Sequence, residues 1–160
     1  MASFPDTGHC ALRRGRVSIP EQSYLLTVVT HRRRCLFLDP LQARIASRII
    51  HSDASWGDAG LLAWVLMPDH WHGLVQLGDE SLFRVASRFK AHITRALHAS
   101  CAIEGAVWER SFHDHALRVD EDVRQAARYI VANPIRAGLA TNALDYPYWN
   151  AIWLGPDDAS

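Results

Sequence analysis

The stretch Met67-Pro68-Asp69-His70-Trp71-His72-Gly73-Leu74-Val75 constrains this chain more than any other. It follows the apolar run Leu61–Met67 across a Pro-Asp turn signal, which predicts a strand, a tight turn and a second strand, His70 to Leu77. Side chains alternate faces along a strand. His70 and His72 therefore share one face, and Trp71, Val75 and Leu77 form the core-facing set. Gln76 and, against the pattern, Leu74 fall with the histidines. Two imidazoles side by side on a rigid strand make half of a metal site. A His-x-His strand alone also fits a purely structural role or another metalloenzyme. A cupin would want a carboxylate a few residues on, and Glu80 is badly placed for it. A histidine-triad hydrolase would want a third alternating His, and position 74 is Leu.

Around this stretch the periodicity gives an ordered set of elements. Tyr24–Thr30 is rich in aromatic and β-branched residues and predicts a first strand. Asp39-Pro40 predicts an N-cap with Pro in the first turn, and Leu41, Ile45 and Ile49 recur at helical spacing to about residue 52. Ser81 caps a long helix whose stripe is Leu82, Val85, Ala86, Phe89, Ile93, Ala96 and Leu97. His115–Val119 predicts a fourth strand. Asp120 then caps a helix with stripe Val123, Ala126, Ala127, Ile130 and Val131. Asn133-Pro134 marks a boundary, and Gly138 a C-terminal cap. The order β-α-β-β-α-β plus a further helix predicts an α+β, ferredoxin-like split βαβ fold. Its antiparallel sheet would carry helices on one face and leave the other free for a site. One domain over residues 21–150 is expected, between an irregular basic arm, 1–20, and a tail, 151–160.

The last helix carries a second half-site. With Val123 at zero, the apolar stripe centres near about 10° at 100° per residue. Tyr129 then falls at about 240° and Asn133 at about 280°, with Gln125 and Arg136 at about 200° and about 220°. A packing tyrosine would sit on the stripe, and a surface tyrosine is the bland alternative. Two histidines and one amide oxygen leave open positions on a divalent ion, which phosphate oxygens could fill. Tyr129 would then be the nucleophile, giving a phosphotyrosine and a leaving 3′-hydroxyl.

Charge bears on the partner. The 17 basic and 17 acidic residues cancel, yet Lys90 is the only lysine. Arginine suits bidentate phosphate contacts, although a biased genome would give the same composition. Arg13, Arg14 and Arg16 cluster in the arm, and Arg32, Arg33 and Arg34 follow the first strand. Arg84, Arg88 and Arg95 share the polar face of the long helix, which either tracks a phosphate backbone or is a solvated face. Cys10, Cys35 and Cys101 form no CxxC, which argues against a disulfide framework or thiolate zinc site and fits a reducing cytoplasm. There is no signal-type apolar region, and no apolar run nears the roughly 20 residues of a membrane span.

From about Tyr24 to Tyr148 the chain resembles the REP-associated tyrosine transposases, a branch of the HUH single-strand DNA transposases. Met67-Pro68-Asp69-His70-Trp71-His72, Trp108 with Ser111-Phe112, the run Tyr129-Ile130-Val131-Ala132-Asn133-Pro134-Ile135-Arg136-Ala137-Gly138-Leu139 and Asp145-Tyr146-Pro147-Tyr148 carry the resemblance. It implies a Mg²⁺- or Mn²⁺-dependent enzyme that cleaves and rejoins single-stranded DNA beside palindromic hairpins through a 5′-phosphotyrosine. It would be cytoplasmic, near the nucleoid, as a monomer or homodimer. Residue by residue, His70 and His72 are implied metal ligands, Asn133 the third and Tyr129 the nucleophile. Trp71 is large for the family's middle position, and Tyr148-Trp149-Asn150 departs from the serines of relatives. A second His-x-His, His113-Asp114-His115, is read with Gln125 as supporting the ligands or touching DNA. A non-catalytic hairpin-binding relic and a water-using metallonuclease are the alternative readings.

Overall fold

The computed structural model describes residues 18–118 and 121–153. Five antiparallel strands form one sheet: β1 (Ser23–Val29), β2 (Gly60–Met67), β3 (His70–Gln76), β4 (His113–Ala116) and β5 (Trp149–Ala151), in the order β4-β1-β3-β2-β5. The first four follow the ferredoxin-like arrangement. β4 starts two residues before the expected His115, because its register against Tyr24–Thr27 of β1 selects His113–Ala116. β5, formed from the aromatic tail, is an addition that the sequence reading lacks.

The β2–β3 hairpin closes through Pro68-Asp69, with Met67 opposite His70. Two-residue hairpins favour turns with positive φ, and neither turn residue has it. Tertiary hydrogen bonds hold this turn instead. The Pro68 carbonyl accepts from Phe37 N at 3.1 Å and the Asp69 carbonyl from Thr30 N at 2.9 Å.

Helices α1 (Pro40–Ile50) and α2 (Leu82–Ser100) cover one sheet face. Asp39 caps α1 by accepting from Leu41 N and Gln42 N, and Ser81 caps α2 by accepting from Arg84 N. The α2 stripe is buried as read, apart from half-exposed Ala96. In α1 the buried line is Ala43, Ala46 and Ile50, not Leu41, Ile45 and Ile49. Small residues let the helix approach its neighbours closely, so the larger ones sit on its flanks and Leu41 is exposed. Trp71 is fully buried under α2, with ring centroids 5.6 Å from Trp56 and 4.6 Å from Phe89. Its size in the middle of the His pair is accommodated by Gly73, whose missing Cβ would stand 2.2 Å from the indole.

Helix α3 (Val123–Val131) and the short α4 (Asn133–Arg136) lie on the other face. Ala126, Ala127 and Ile130 pack on Leu25, Ala63, Val65, Met67 and Leu74. That contact explains Leu74 among the histidines, and it means the second face is partly covered rather than free. The α3 N-cap is Asp122, accepting from Arg124 N at 2.8 Å, and the expected cap Asp120 lies outside the described residues. Gly138 takes a φ of 73°, and Leu139 N reaches back to the Pro134 carbonyl at 2.8 Å, a glycine C-terminal cap. No helix among the described residues is long and apolar enough to cross a membrane. Cys35 and Cys101 are free thiols, and Cys10 lies outside the described residues.

Candidate functional site

Strand register decides which side chains share the α3 face. Thr27 stands opposite both His72 and His113, Val29 opposite His70, and Leu25 opposite both Leu74 and His115. Directly paired residues point the same way, so both His-x-His elements lie on this face with β1 between them. Two strand spacings, roughly 10 Å, separate His72 from His113.

Each ligand-type histidine is held through its Nδ1. His72 Nδ1 lies 2.6 Å from Thr27 Oγ1, and His70 Nδ1 lies 2.8 Å from Asp69 Oδ1. Asp69 also takes Arg33 Nη1 at 3.3 Å. A histidine tethered at Nδ1 offers Nε2, the arrangement found behind metal-bound imidazoles. Burial raises the Asp69 carboxyl, but its bonds and charge attraction to His70 and Arg33 outweigh that and hold it below the ordinary value. His72 is pushed down to about 4, first by burial, then by the nearby His70 and Arg136 charges, against an opposing hydrogen bond to the Leu26 backbone. It therefore remains a neutral imidazole at pH 7.

Helix α3, which packs on β3, carries Tyr129, and α4 carries Arg136. The Arg136 guanidinium lies 3.9 Å from the Tyr129 ring centroid, and Nη2 donates to the Tyr129 carbonyl at 2.7 Å. The same guanidinium acts on His72. Asn133, one turn beyond Tyr129, donates its Nδ2 to the Ile130 carbonyl at 3.1 Å and keeps its amide oxygen as an acceptor. Among the described residues no group of three or more His, Cys, Asp or Glu is arranged to hold a metal. A divalent ion would need a third donor of another type, and the Asn133 amide oxygen is of that type. Two imidazole nitrogens and an amide oxygen suit a divalent first-row ion such as Mn²⁺.

The other expected residues divide. Arg33 supports Asp69, and Arg34 Nη2 donates to the Ala106 carbonyl at 2.7 Å, fixing a loop. His113 and His115 share the site face but complete no metal cluster, and His115 Nε2 pairs with Glu121 at 3.5 Å. Gln125 is exposed on α3. Arg84, Arg88 and Arg95 lie on α2, across the sheet from the histidines, and Arg88 is paired with Glu80. The sequence placed them on one helix face but could not say which side of the sheet that helix takes. Arg13, Arg14 and Arg16 lie outside the described residues. Thr27 escaped the sequence reading because only strand register places it beside His72. Asp69 carried a signal, a carboxylate adjacent to His70 in the turn. A cavity of about 570 Å³ lies between the end of α1 and the β2–β5 edge and is lined by none of these residues.

Comparison with known proteins gives the family of the chain. The model of the family described as "Transposase IS200 like" matches residues 18–133. The REP-associated tyrosine transposase of Escherichia coli is 32% identical over 88 residues, covering 54% of this chain and 50% of that protein. A Haemophilus influenzae relative of the same description is 32% identical over 99 residues, covering 54% and 56%. The chain thus spans about half the length of the curated relatives it matches. A solved structure of a REP-associated tyrosine transposase bound to a REP hairpin aligns with TM-score 0.66 and 26% identity, over 84% of this chain and 79% of that one.

Proposed function

Because the chain belongs to the IS200-like transposase family, we propose that it cleaves and rejoins single-stranded DNA beside palindromic hairpins, with Tyr129 as nucleophile. The observation that carries this reading is Arg136. It lies over the Tyr129 ring, and α3 packs on β3, the strand of the His pair, which supports reading the tyrosine end of α3 and the His pair as one site. The solved neighbour holds a REP hairpin, which supports a hairpin-bearing single strand as the partner here.

The chemistry runs through the chain's own groups. Tyr129 Oη attacks the scissile phosphorus, a phosphorus–oxygen bond to Tyr129 forms, and the bond to the departing 3′-oxygen breaks. The phenolic proton leaves to solvent, and the 3′-oxygen takes one up as a hydroxyl. The products are a 5′-phosphotyrosine and a strand ending in a 3′-hydroxyl, so no bond is spent on water and the reverse attack rejoins DNA. His70, His72 and Asn133 would hold a Mg²⁺ or Mn²⁺ ion, which supplies Lewis-acid stabilisation of charge on the phosphate. Thr27 and Asp69 orient the two imidazoles, and Arg136 fixes the Tyr129 ring.

The test is a denaturing gel of labelled single-stranded hairpin DNA with Mn²⁺, wild type beside Tyr129→Phe. A protease-sensitive slow band in wild type alone supports the reading. Equal cleavage by both proteins without an adduct would instead make this a water-using metallonuclease. Binding without cleavage by either would leave a hairpin-binding relic.

A further inference from the structure

Beside the His pair, on the flank away from α3, lies a second cavity of about 250 Å³ lined by Val29, Arg32, Arg33, Glu109, Ser111 and His113. Its position follows from register, since Val29 faces His70 across β1 and β3 while His113 stands on β4 beyond Thr27. Helix α3 packs against β2, β3 and β5 and α4 against β2, so both lie toward the β5 edge of the sheet while the cavity lies toward the β4 edge. At this volume, below the roughly 300 Å³ where pockets for drug-sized ligands begin, it suits a single nucleotide.

The backbone here is held in an unusual shape. Arg32 and Arg33 both adopt left-handed φ, 55° and 52°, which is costly for a residue with a Cβ. The surroundings enforce it. Thr30 is fully buried and its Oγ1 donates to the Arg34 and Asp69 carbonyls, at 2.7 and 2.9 Å. Glu109 Oε1 accepts from Arg32 N at 2.7 Å and lies 3.6 Å from His31 Nδ1. The one carboxylate of the cavity is thereby engaged by donors. Two guanidinium-bearing residues, a hydroxyl and an imidazole remain as its polar lining. His113 Nδ1 is buried without a hydrogen-bond partner among the described residues, and such an atom calls for a ligand group.

We propose that this cavity is the subsite for the nucleotide that leaves with the free 3′ end, its 5′-side phosphate held by Arg32. The assignment rests on the phosphotyrosine reading above. In phosphoryl transfer the attacking and leaving oxygens stand roughly in line. Tyr129 arrives from the α3 flank, so the leaving 3′-oxygen and its nucleotide lie toward β1 and β4, where the cavity is. Arg33 is engaged with Asp69, which makes Arg32 the arginine to test.

The experiment scans neutral methylphosphonates through the single-stranded part of a labelled hairpin oligonucleotide. Affinity is measured by anisotropy in EDTA across a salt series, and cleavage by gel with Mn²⁺. Wild type is compared with Arg32→Asn, since asparagine tolerates left-handed φ. On native DNA the variant should bind about ten-fold more weakly, with a log–log salt slope shallower by about 0.7. With the methylphosphonate one phosphate upstream of the cleaved bond, both proteins should bind alike. If Arg32→Asn melts early, Ser111→Asp takes its place, with the same pattern expected from an added carboxylate. Wild type that cleaves, with the variant's deficit unchanged at every methylphosphonate position or absent, overturns this subsite and leaves the tyrosine reading intact. Wild type that never cleaves overturns both.

Discussion

Gly73→Ala should loosen the wall behind the His pair, and its size can be worked from the structure. A Cβ on Gly73 would stand 2.2 Å from Trp71 Cη2 and 2.3 Å from Cζ2, where carbon atoms settle at about 3.5–4.0 Å. The indole would have to retreat by more than 1 Å at that separation. It is fully buried, with Phe89 at 4.6 Å and Trp56 at 5.6 Å between ring centroids. Overpacking of this kind costs about 1–3 kcal/mol, and the clamped ring puts this case at the upper end. Alanine's better fit to a strand returns about 0.5–1 kcal/mol, for a net loss of about 2 kcal/mol. In a domain of this size that lowers Tm by about 6 °C. Because Trp71 sits between His70 and His72, Mn²⁺ affinity should fall alongside. Thermal melts of Gly73→Ala, Trp71→Phe and the double variant are the assay. The smaller ring should absorb the methyl, so the two changes couple by more than about 1 kcal/mol. A Gly73→Ala protein as stable as wild type, or the same loss with and without Trp71→Phe, would refute the reasoning.

Further outcomes follow from the tethers. Thr27→Val removes the hydroxyl 2.6 Å from His72 Nδ1, and should weaken Mn²⁺ binding about 10- to 100-fold in a titration while leaving the melt nearly unchanged. His72 takes a proton near 6.5 when unfolded but only near 4 when folded, so the unfolded state binds more protons between those values. Metal-free protein should therefore lose stability as pH falls from about 6.5 toward 4, by at most about 3 kcal/mol, and His72→Gln should remove that component of a urea-melt series. Tyr146 Oη donates to the Leu66 carbonyl at 2.5 Å, and burial with Tyr148 alongside raises its phenol to about 12. Tyr146→Phe should cost about 1 kcal/mol and speed amide exchange in β5 first.

What the sequence disclosed was what alternation and helical spacing encode locally. The His-Trp-His strand, its hairpin partner, the α2 stripe and the off-stripe position of Tyr129 needed no tertiary information. Features set by pairing between distant segments were not legible. The start of β4 at His113, the addition of β5 and the Thr27 tether all depend on strand register. Leu74 looked misplaced among polar neighbours until α3 was seen to pack on it. The α1 line shifted to Ala43 and Ala46 because close approach favours small side chains over the larger Leu41, Ile45 and Ile49. Arg84, Arg88 and Arg95 show the same limit, since a helical face is visible in sequence and the side of the sheet it covers is not.

The central claim is that Tyr129 becomes covalently joined to the 5′ phosphate of cleaved DNA. Its most direct test is to react wild type with hairpin DNA labelled at either end, digest with protease and locate the adduct by mass spectrometry. The account predicts that the 3′-terminal label stays with the protein and that the modified peptide carries its mass on Tyr129. Retention of the 5′-terminal label, an adduct on another residue, or cleavage with no adduct at all would contradict it.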